Sequence, residues 1–354
     1  MCDVLTMDGD PPSTTEHTPS QVSCGQYSGR TVCSTRRNTP YRKTPRSRRL
    51  GLLGSKSALL EKTPPSPRHA PSFKGLLKKT WKLYRLSPLY NFTPTSSHLR
   101  RYGTSLSVLV GERQRKSLIT ETKDLVRSLI SPYRELSVGP DDPECIQILI
   151  TGKNLKDIPT TLVRGFMFGV ELEDSLVSPD NSHFKHYPVL MVKGSVSLCK
   201  ALTDWLESKF DCRVSALTFS SVDLSWMVAM WSGLSKGMKK KPVELMYSVP
   251  EEVEGLKKIT YSIDSEDCQR LWDIIHTSNS NEFTEEEVKA FMDCLQSHFY
   301  GCFKVHLSSM FLTRIGTSTV YVGSDGKIKF FTDSGVIPVL RHISELSVEK
   351  SKIL

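Results

Sequence analysis

The chain of 354 residues is long enough for one large or two ordinary domains, and its hydrophobic content of 38% can support a core. No apolar run approaches the ~20 residues of a membrane span, and the N-terminus lacks the apolar segment of a secretory signal. Nine cysteines are scattered without a framework of spacings, which favours a reducing compartment. We therefore expect neither a membrane protein nor a disulfide-rich secreted protein.

The net charge of +9 is unevenly distributed along the chain. Residues 1–116 hold 21 basic and 6 acidic residues, which gives a net charge of +15. The other 238 residues hold 26 basic and 32 acidic residues, which gives −6. Basic segments favour phosphate-rich partners with a strong dependence on salt. This signal therefore belongs mainly to the N-terminal third.

Residues 1–70 are rich in Ser, Thr, Pro and Arg and poor in large apolar residues. We predict a disordered basic tail, because such a segment cannot bury enough apolar surface to offset chain entropy. A basic run within it resembles a nuclear-import or nucleic-acid-binding segment, and a merely solvated tail is the alternative. The nuclear-import candidates are Arg36, Arg37, Arg42, Lys43, Arg46, Arg48 and Arg49.

Residues 71–354 are predicted to form a globular domain of mixed helices and strands. The first elements are a basic amphipathic helix over residues 73–84 and a helix in two pieces over residues 99–130. Apolar spacing then predicts helices at 198–206, 224–231 and 268–275, and strands at 145–150, 164–170, 188–192, 213–217, 243–249 and 256–262. Because these elements mix without strict βαβ alternation, we predict an α+β fold with a largely antiparallel sheet and packed helices.

A well-marked helix opens the C-terminal part of the chain, residues 283–354. Thr284 and Glu287 have the spacing of a capping box, and apolar residues follow at helical spacing. We expect this helix to stop at Gly301. Alternating residues over 303–307 then predict a half-buried strand.

Two further strand-like runs, residues 311–322 and 327–331, follow and complete a meander. Asp325-Gly326 between them predicts a tight hairpin. Apolar residues from Gly335 onward repeat at helical spacing. We expect the meander to leave a sheet edge that binds a partner by strand addition. The partner-binding candidates are Phe311, Ile315, Val320, Val322, Ile328 and Phe330.

The sequence contains no recognised catalytic motif. It has no phosphate-binding glycine loop, no GxSxG and no HExxH, so we predict no catalytic residue and no cofactor. Cys294, His298, Cys302 and His306 are spaced by four, and both residue types bind zinc. We nevertheless predict no metal site, because the expected helix end at Gly301 separates the two pairs. A zinc-dependent enzyme is the alternative.

Basic residues in the second half of the chain are candidates for contact with a DNA backbone. Side chains two apart in a strand share a face, which predicts a basic sheet face with an apolar reverse. A solvated loop is the alternative for the lysine run before residue 242. The DNA-contact candidates are Lys239, Lys240, Lys241, Arg314, Lys327 and Lys329.

Several long segments resemble the centromere protein L family of the vertebrate kinetochore. They are WKLYRLSPLYNF (residues 81–92), DLSWMVAMW (223–231), FMDCLQSHFYGCFKVHLSSMFLTRIGTS (291–318) and DGKIK (325–329). The resemblance runs from about residue 73 to the end of the chain. It implies an α+β fold with a curved sheet and no enzymatic activity.

The resemblance also implies partners and a location. Members of the family belong to the constitutive centromere-associated network in the nucleus, at the kinetochore of the centromere. They pair with centromere protein N through sheet extension and contact centromere protein C and the H-I-K-M subcomplex. The pair helps bind nucleosomes that carry the centromeric histone H3 variant, and it contributes a basic channel for DNA. We therefore expect a scaffold subunit for chromosome segregation. The alternative is an autonomous nucleic-acid-binding protein that acts through its basic N-terminal third.

Overall fold

A computed structural model describes residues 73–117, 126–136, 142–153, 158–169, 183–232, 241–276 and 283–352. The predicted tail and its nuclear-import candidates lie outside these residues. The strands are β1 (Thr80–Leu86), β2 (Leu89–Tyr90), β3 (Arg127–Pro132), β4 (Ile146–Lys153), β5 (Pro159–Phe168), β6 (Phe184–Lys185), β7 (Val189–Gly194), β8 (Val214–Ala216), β9 (Val243–Ser248), β10 (Lys258–Ile263), β11 (Phe311–Gly316), β12 (Val320–Gly323) and β13 (Lys327–Phe330). The helices are α1 (Ser96–Ser117), α2 (Val196–Phe210), α3 (Ser221–Trp231), α4 (Ser265–Ile275), α5 (Glu285–Phe303) and α6 (Val336–Lys352).

One large antiparallel sheet organises these elements. Its strand order is β10-β9-β11-β12-β13-β1-β7-β5-β4-β3, and β8 pairs with β1 beside this path. The strands β2 and β6 form a separate small ribbon. β1 lies in the middle of the sheet, where Trp81 pairs with Ile328 of β13 and Leu83 pairs with Met191 of β7. The predicted α+β class with a largely antiparallel sheet is confirmed.

The sheet is covered by helices on opposite faces of its two halves. Alternate residues of β7 show this, because Val189 and Met191 belong to one core whereas Leu190 and Val192 belong to another. The first core packs β9 to β13, β1, β5 and β7 against α3, α4, α5 and α6. The second packs β3, β4, β5 and β7 against α1 and α2. Among the described residues, neither core packs a helix on the reverse face of β9 to β13.

Local sequence signals position the C-terminal part as predicted. The Thr284 hydroxyl accepts a hydrogen bond from the Glu287 amide, and the Glu287 carboxylate accepts one from the Thr284 amide, which is the predicted capping box. β12 and β13 are joined by the predicted hairpin. Gly326 there has a φ of +74°, and a Cβ atom would lie 1.9 Å from the Leu217 carbonyl oxygen. Only glycine fits this turn.

Several predicted elements are wrong, most of them near the N-terminus. The basic helix over residues 73–84 is a turn followed by β1, because residues 80–86 pair with strands on both sides. The second helical piece of residues 99–130 is also wrong where it is described, since residues 127–130 belong to β3 and pair with β4. In both cases distant partners in the sheet override the local helical spacing.

The predictions for the region after α5 also need correction. α5 continues through Gly301 to Phe303, and Lys304 ends it with a left-handed φ of 57°. The strand predicted over residues 303–307 is therefore absent from these described residues. The run 311–322 forms two strands, β11 and β12, which pair with each other. The expectation that this meander leaves an open edge is wrong, because β11 also pairs with β9 and β13 with β1.

Candidate interface for a partner strand and nucleic acid

One end of the sheet, β10, offers backbone groups to a partner strand. The Val249 amide donates to the Lys257 carbonyl at 3.1 Å, just beyond the paired residues of β9 and β10. Bonded and non-bonded pairs alternate in an antiparallel ladder. The amides and carbonyls of Lys258, Thr260 and Ser262 therefore point away from β9. In the part of the chain that the structure describes, no strand pairs with β10 on this side.

The other end of the sheet, β3, is covered by α1. The same alternation turns the backbone groups of Ser128, Ile130 and Pro132 outward, because the Tyr133 amide bonds to the Cys145 carbonyl next to the ladder. The Ser128 amide donates to the Ser107 hydroxyl of α1 at 2.7 Å. Pro132 has no amide hydrogen to offer.

Close packing of α1 explains why this second edge is closed. A Cβ atom at Gly103 of α1 would lie 2.8 Å from the Ser128 carbonyl oxygen and 3.6 Å from the Ile130 amide nitrogen. The glycine thus lets the helix approach the outward backbone groups of β3. A covered edge cannot accept another strand. Of the two ends of the described sheet, β10 is the one suited to strand addition.

Basic side chains lie together on one face of the sheet, around the neighbouring strands β13 and β1. Lys82 of β1 is paired with Lys327 of β13, and both Thr80 and Tyr321 are paired with Lys329. Paired residues share a face. The three lysines therefore stand on the side opposite to the buried Trp81 and Ile328. Their exposed or half-buried side chains place this face in solvent.

Two further predicted DNA contacts join the same face. Arg314 of β11 is paired with Gly323 and is exposed. The Lys241 amine stands 4.4 Å from the centre of the Phe331 ring, and the Lys329 amine stands 5.6 Å from the same centre. A cation over an aromatic face is electrostatically favourable. The structure thus brings Lys241, Arg314 and Lys329 to one side of the sheet. Lys239 and Lys240 lie outside the described residues.

Acidic groups offset part of this positive charge. The Lys327 amine forms a 2.8 Å ion pair with Asp325. Burial would raise the pKa of the Asp325 carboxyl, but hydrogen bonds from Lys327 outweigh it and hold the pKa below its ordinary value. Glu244, paired with Gly316, also stands on this face. The described part of the face therefore carries Lys82, Lys241, Lys258, Arg314, Lys327 and Lys329 against Asp325 and Glu244.

Lys82 is a member of this basic face that sequence reasoning missed. The signal was present, because Trp81 and Leu83 alternate with Lys82 and Tyr84 in the manner of a half-buried strand. The helical reading of residues 73–84 placed this lysine on a helix surface instead. Its amine donates to the Asp325 carbonyl, which fixes it beside Lys327.

The six partner-binding candidates lie in the interior of the sheet rather than at an edge. Ile315, Val320, Val322, Ile328 and Phe330 are all buried in the first core. Phe311 is 65% exposed and pairs with Ser248 at the end of β9. Of the six candidates, only Phe311 has a side chain exposed enough to contact a partner directly. The role of all six in partner binding stays a prediction.

The four Cys and His residues of the spacing C-x3-H-x3-C-x3-H do not converge. His298 accepts or donates a 2.9 Å hydrogen bond at Nδ1 with the Tyr261 hydroxyl, and its Nε2 lies 3.9 Å from the Cys302 sulfur. His306 instead stacks on Tyr300 with ring centres 4.2 Å apart. Among the described residues, no group of three or more such side chains could hold a metal ion. Nor is any described helix long and apolar enough to cross a membrane.

Comparison with known proteins shows an extended similarity. The sequence model of the centromere protein L family matches residues 75–352. Centromere protein L of Bos taurus is 32% identical over 322 residues, which cover 89% of this chain and 89% of that protein. Centromere protein L of Homo sapiens is 33% identical over 280 residues, covering 77% and 80%. That of Gallus gallus is 32% identical over 280 residues, covering 78% and 80%.

Proposed function

This chain belongs to the centromere protein L family, and we propose that it is a non-enzymatic scaffold subunit of the inner kinetochore. In this role it pairs with centromere protein N in the nucleus. The pair helps bind nucleosomes with the centromeric histone H3 variant and contacts centromere protein C and the H-I-K-M subcomplex. It thereby supports kinetochore assembly and chromosome segregation.

The open edge of β10 is the observation that supports pairing with a partner protein. Strand addition needs outward amides and carbonyls, and Thr260 and Ser262 provide them. The alternative end, β3, is closed by α1. A partner strand on β10 would extend the sheet away from β9. The solvent-exposed Phe311 at the end of β11 lies two strands in from β10.

The basic open face supports contact with a DNA backbone. It belongs to the same half of the sheet as β10, so a sheet extended by a partner would prolong it. Lysine and arginine contacts to phosphates position a protein on DNA without reading its sequence. The described residues on this face carry only a modest excess of positive charge, because Asp325 and Glu244 also lie there. We therefore infer that the partner contributes further basic residues.

Co-expression with centromere protein N tests the proposal. We expect the two full-length proteins to co-purify and to elute as one species of equal stoichiometry. The lone chain should self-associate or be poorly soluble, because an uncovered strand edge promotes aggregation. Separate elution of the two proteins, with the lone chain a stable monomer, would contradict the pairing.

The second candidate function is autonomous nucleic-acid binding by the N-terminal third. The charge of +15 over residues 1–116 favours it. The full chain without partners should then bind DNA with a steep salt dependence, which charge reversal of the basic run abolishes. A shallow salt dependence in the lone chain, beside a steep one in the heterodimer, would favour the scaffold instead.

A further inference from the structure

Of the Phe, Tyr and Trp side chains that the structure describes, Phe311 is the most exposed, at 65%. Phe311 and Arg314 of β11 pair with Ser248 and Met246 of β9, which are two residues apart, so both side chains stand on the basic face. The next residue, Leu312, is buried in the first core on the other face. Single exposed apolar side chains are common, so the groups around this ring decide what it can bind.

Cationic side chains flank the Phe311 ring on two sides. Arg314 follows it along β11 and is exposed. Across the sheet, Ser248 pairs with Phe311 on one side and with Lys258 of β10 on the other, which places Lys258 two strand spacings, or about 10 Å, from the ring. Six basic side chains stand on this face against two acidic ones, so its charge is suited to phosphates.

Two further aromatic side chains continue this pattern across the same face. Tyr321 of β12 is half-buried and is paired with Lys329 of β13. Phe331, also half-buried, follows at the end of β13, where the Lys241 and Lys329 amines lie over its ring. From Phe311 to Phe331 the line crosses two strand spacings and about six residue spacings, which is roughly 22 Å. Aromatic and cationic side chains therefore alternate along one diagonal of the sheet.

Exposed rings beside cations suit a single strand of nucleic acid better than a duplex. The bases of a single strand can stack on aromatic side chains while its phosphates contact lysine and arginine. In a duplex the bases stack on one another, so the cations of this face could contact it but Phe311 would have no base to stack on. A diagonal of roughly 22 Å is long enough for the four or more nucleotides that one such sheet commonly binds.

We propose that this face binds single-stranded nucleic acid, with one base stacked on Phe311 and the neighbouring phosphates on Arg314 and Lys258. The strand runs diagonally over β11, β12 and β13, past Tyr321 and towards Phe331. Stacking accepts every base, so RNA and DNA strands are both bound, without strong sequence preference. This binding rests on the phosphate contacts already proposed for the basic face, but it does not require pairing through β10.

Replacing Phe311 by leucine tests the stacking, because leucine keeps an apolar side chain and removes the ring. Anisotropy measures how the full-length chain binds a labelled oligothymidine of about twelve nucleotides and a hairpin duplex with the same number of phosphates. We expect Phe311→Leu to raise the Kd for the single strand about 5- to 100-fold and to leave the Kd for the duplex within about twofold. Phe184→Leu removes a ring that is 43% exposed on β6, and this matched control should change neither Kd.

Photocrosslinking locates the bound strand independently of its affinity. Oligonucleotides that carry 5-iodouracil in place of thymine couple under light to aromatic side chains in contact with the base. We expect a crosslinked peptide that contains Phe311, and its loss in Phe311→Leu. Crosslinks confined to residues 1–72, an unchanged Kd of Phe311→Leu for the single strand, or an equal rise for single strand and duplex would overturn the proposal.

The same titrations with the heterodimer separate base stacking from the proposed scaffold function. A heterodimer that binds duplex DNA, and binds the single strand equally well with and without the Phe311 ring, would refute base stacking and leave the scaffold intact. A chain that fails to pair with centromere protein N, but binds the single strand through Phe311, would refute the pairing and support base stacking.

Discussion

Replacing Thr260 by proline is a selective test of the open edge of β10. Proline removes an amide hydrogen that points away from β9 and leaves the ladder to β9 intact, because those bonds come from the alternate residues. The Thr260 side chain is only half-buried, so a proline ring displaces little packing. We expect the free energy of unfolding of the lone chain to fall by about 1 kcal/mol or less.

The same change should weaken a partner strand much more. Pairing loses one main-chain hydrogen bond, worth about 1 kcal/mol, and leaves a carbonyl of the partner without a donor at a further cost of about 1–3 kcal/mol. A total of about 2–4 kcal/mol corresponds to a rise in Kd of roughly 30- to 700-fold. Titration of a fluorescently labelled chain with centromere protein N measures this directly.

A matched control isolates the amide. Thr260→Val keeps the N–H and the β-branched shape, and it should bind as tightly as the unmodified chain. Circular dichroism and thermal unfolding of both variants establish that the fold is retained. A Kd for Thr260→Pro within about twofold of the unmodified value, in a folded chain, would refute pairing through β10.

Three further predictions follow from the described contacts. Ile328→Pro should unfold the lone chain, because it breaks a buried central strand at a cost above about 4 kcal/mol. A melting temperature near that of the unmodified chain would contradict the assigned order of strands. Reversing Lys241 and Lys329 to Glu should lower the salt slope of DNA binding by the heterodimer by about two, measured by anisotropy, and an unchanged slope would exclude this face. Hydrogen bonds from Lys350 and Ser220 outweigh the effect of burial and hold the pKa of Asp223 below its ordinary value. Its contribution to stability is therefore complete above pH ~4 and lost as the pH falls through the lowered value. Asp223→Asn should lower the free energy of unfolding by about 1–3 kcal/mol at pH 7 and by less below pH ~3, and an equal loss at both values would rule out this linkage.

Elements with complete local signals could be predicted from the sequence. Thr284 and Glu287 specify the start of α5, and Asp325-Gly326 specifies the hairpin between β12 and β13. Each signal lies within a few residues and has one physical solution. The helix predicted over residues 224–231 is likewise found as part of α3, although the almost complete burial of α3 follows from its packing against the sheet.

Elements defined by distant partners could not be predicted in this way. Trp81 and Lys82 belong to a strand because β13 and β7 lie on either side, and the partners are more than a hundred residues away in the chain. The open edge was predicted at the C-terminal meander because the sequence does not show strand order. Once β1 inserts beside β13 and β9 beside β11, the edge moves to β10.

The basic face could be predicted only in part, because the order of the strands decides which lysines lie on it. Alternation placed Lys327 and Lys329 on one side of a strand, which the sheet preserves. Lys82 joins them only through the pairing of β1 with β13. Lys327 forms an ion pair with Asp325 within the hairpin. A count of lysines alone therefore overstates the positive charge of this face.

Hydrogen exchange of the β10 amides, with and without centromere protein N, tests the central claim most directly. The outward amides of Thr260 and Ser262 should exchange rapidly in the lone chain and become strongly protected in the heterodimer. The alternate amides of Ile259 and Tyr261, which bond to β9, should be protected in both states. If the two proteins form a complex in which Thr260 and Ser262 exchange as fast as before, the partner does not extend the sheet at β10.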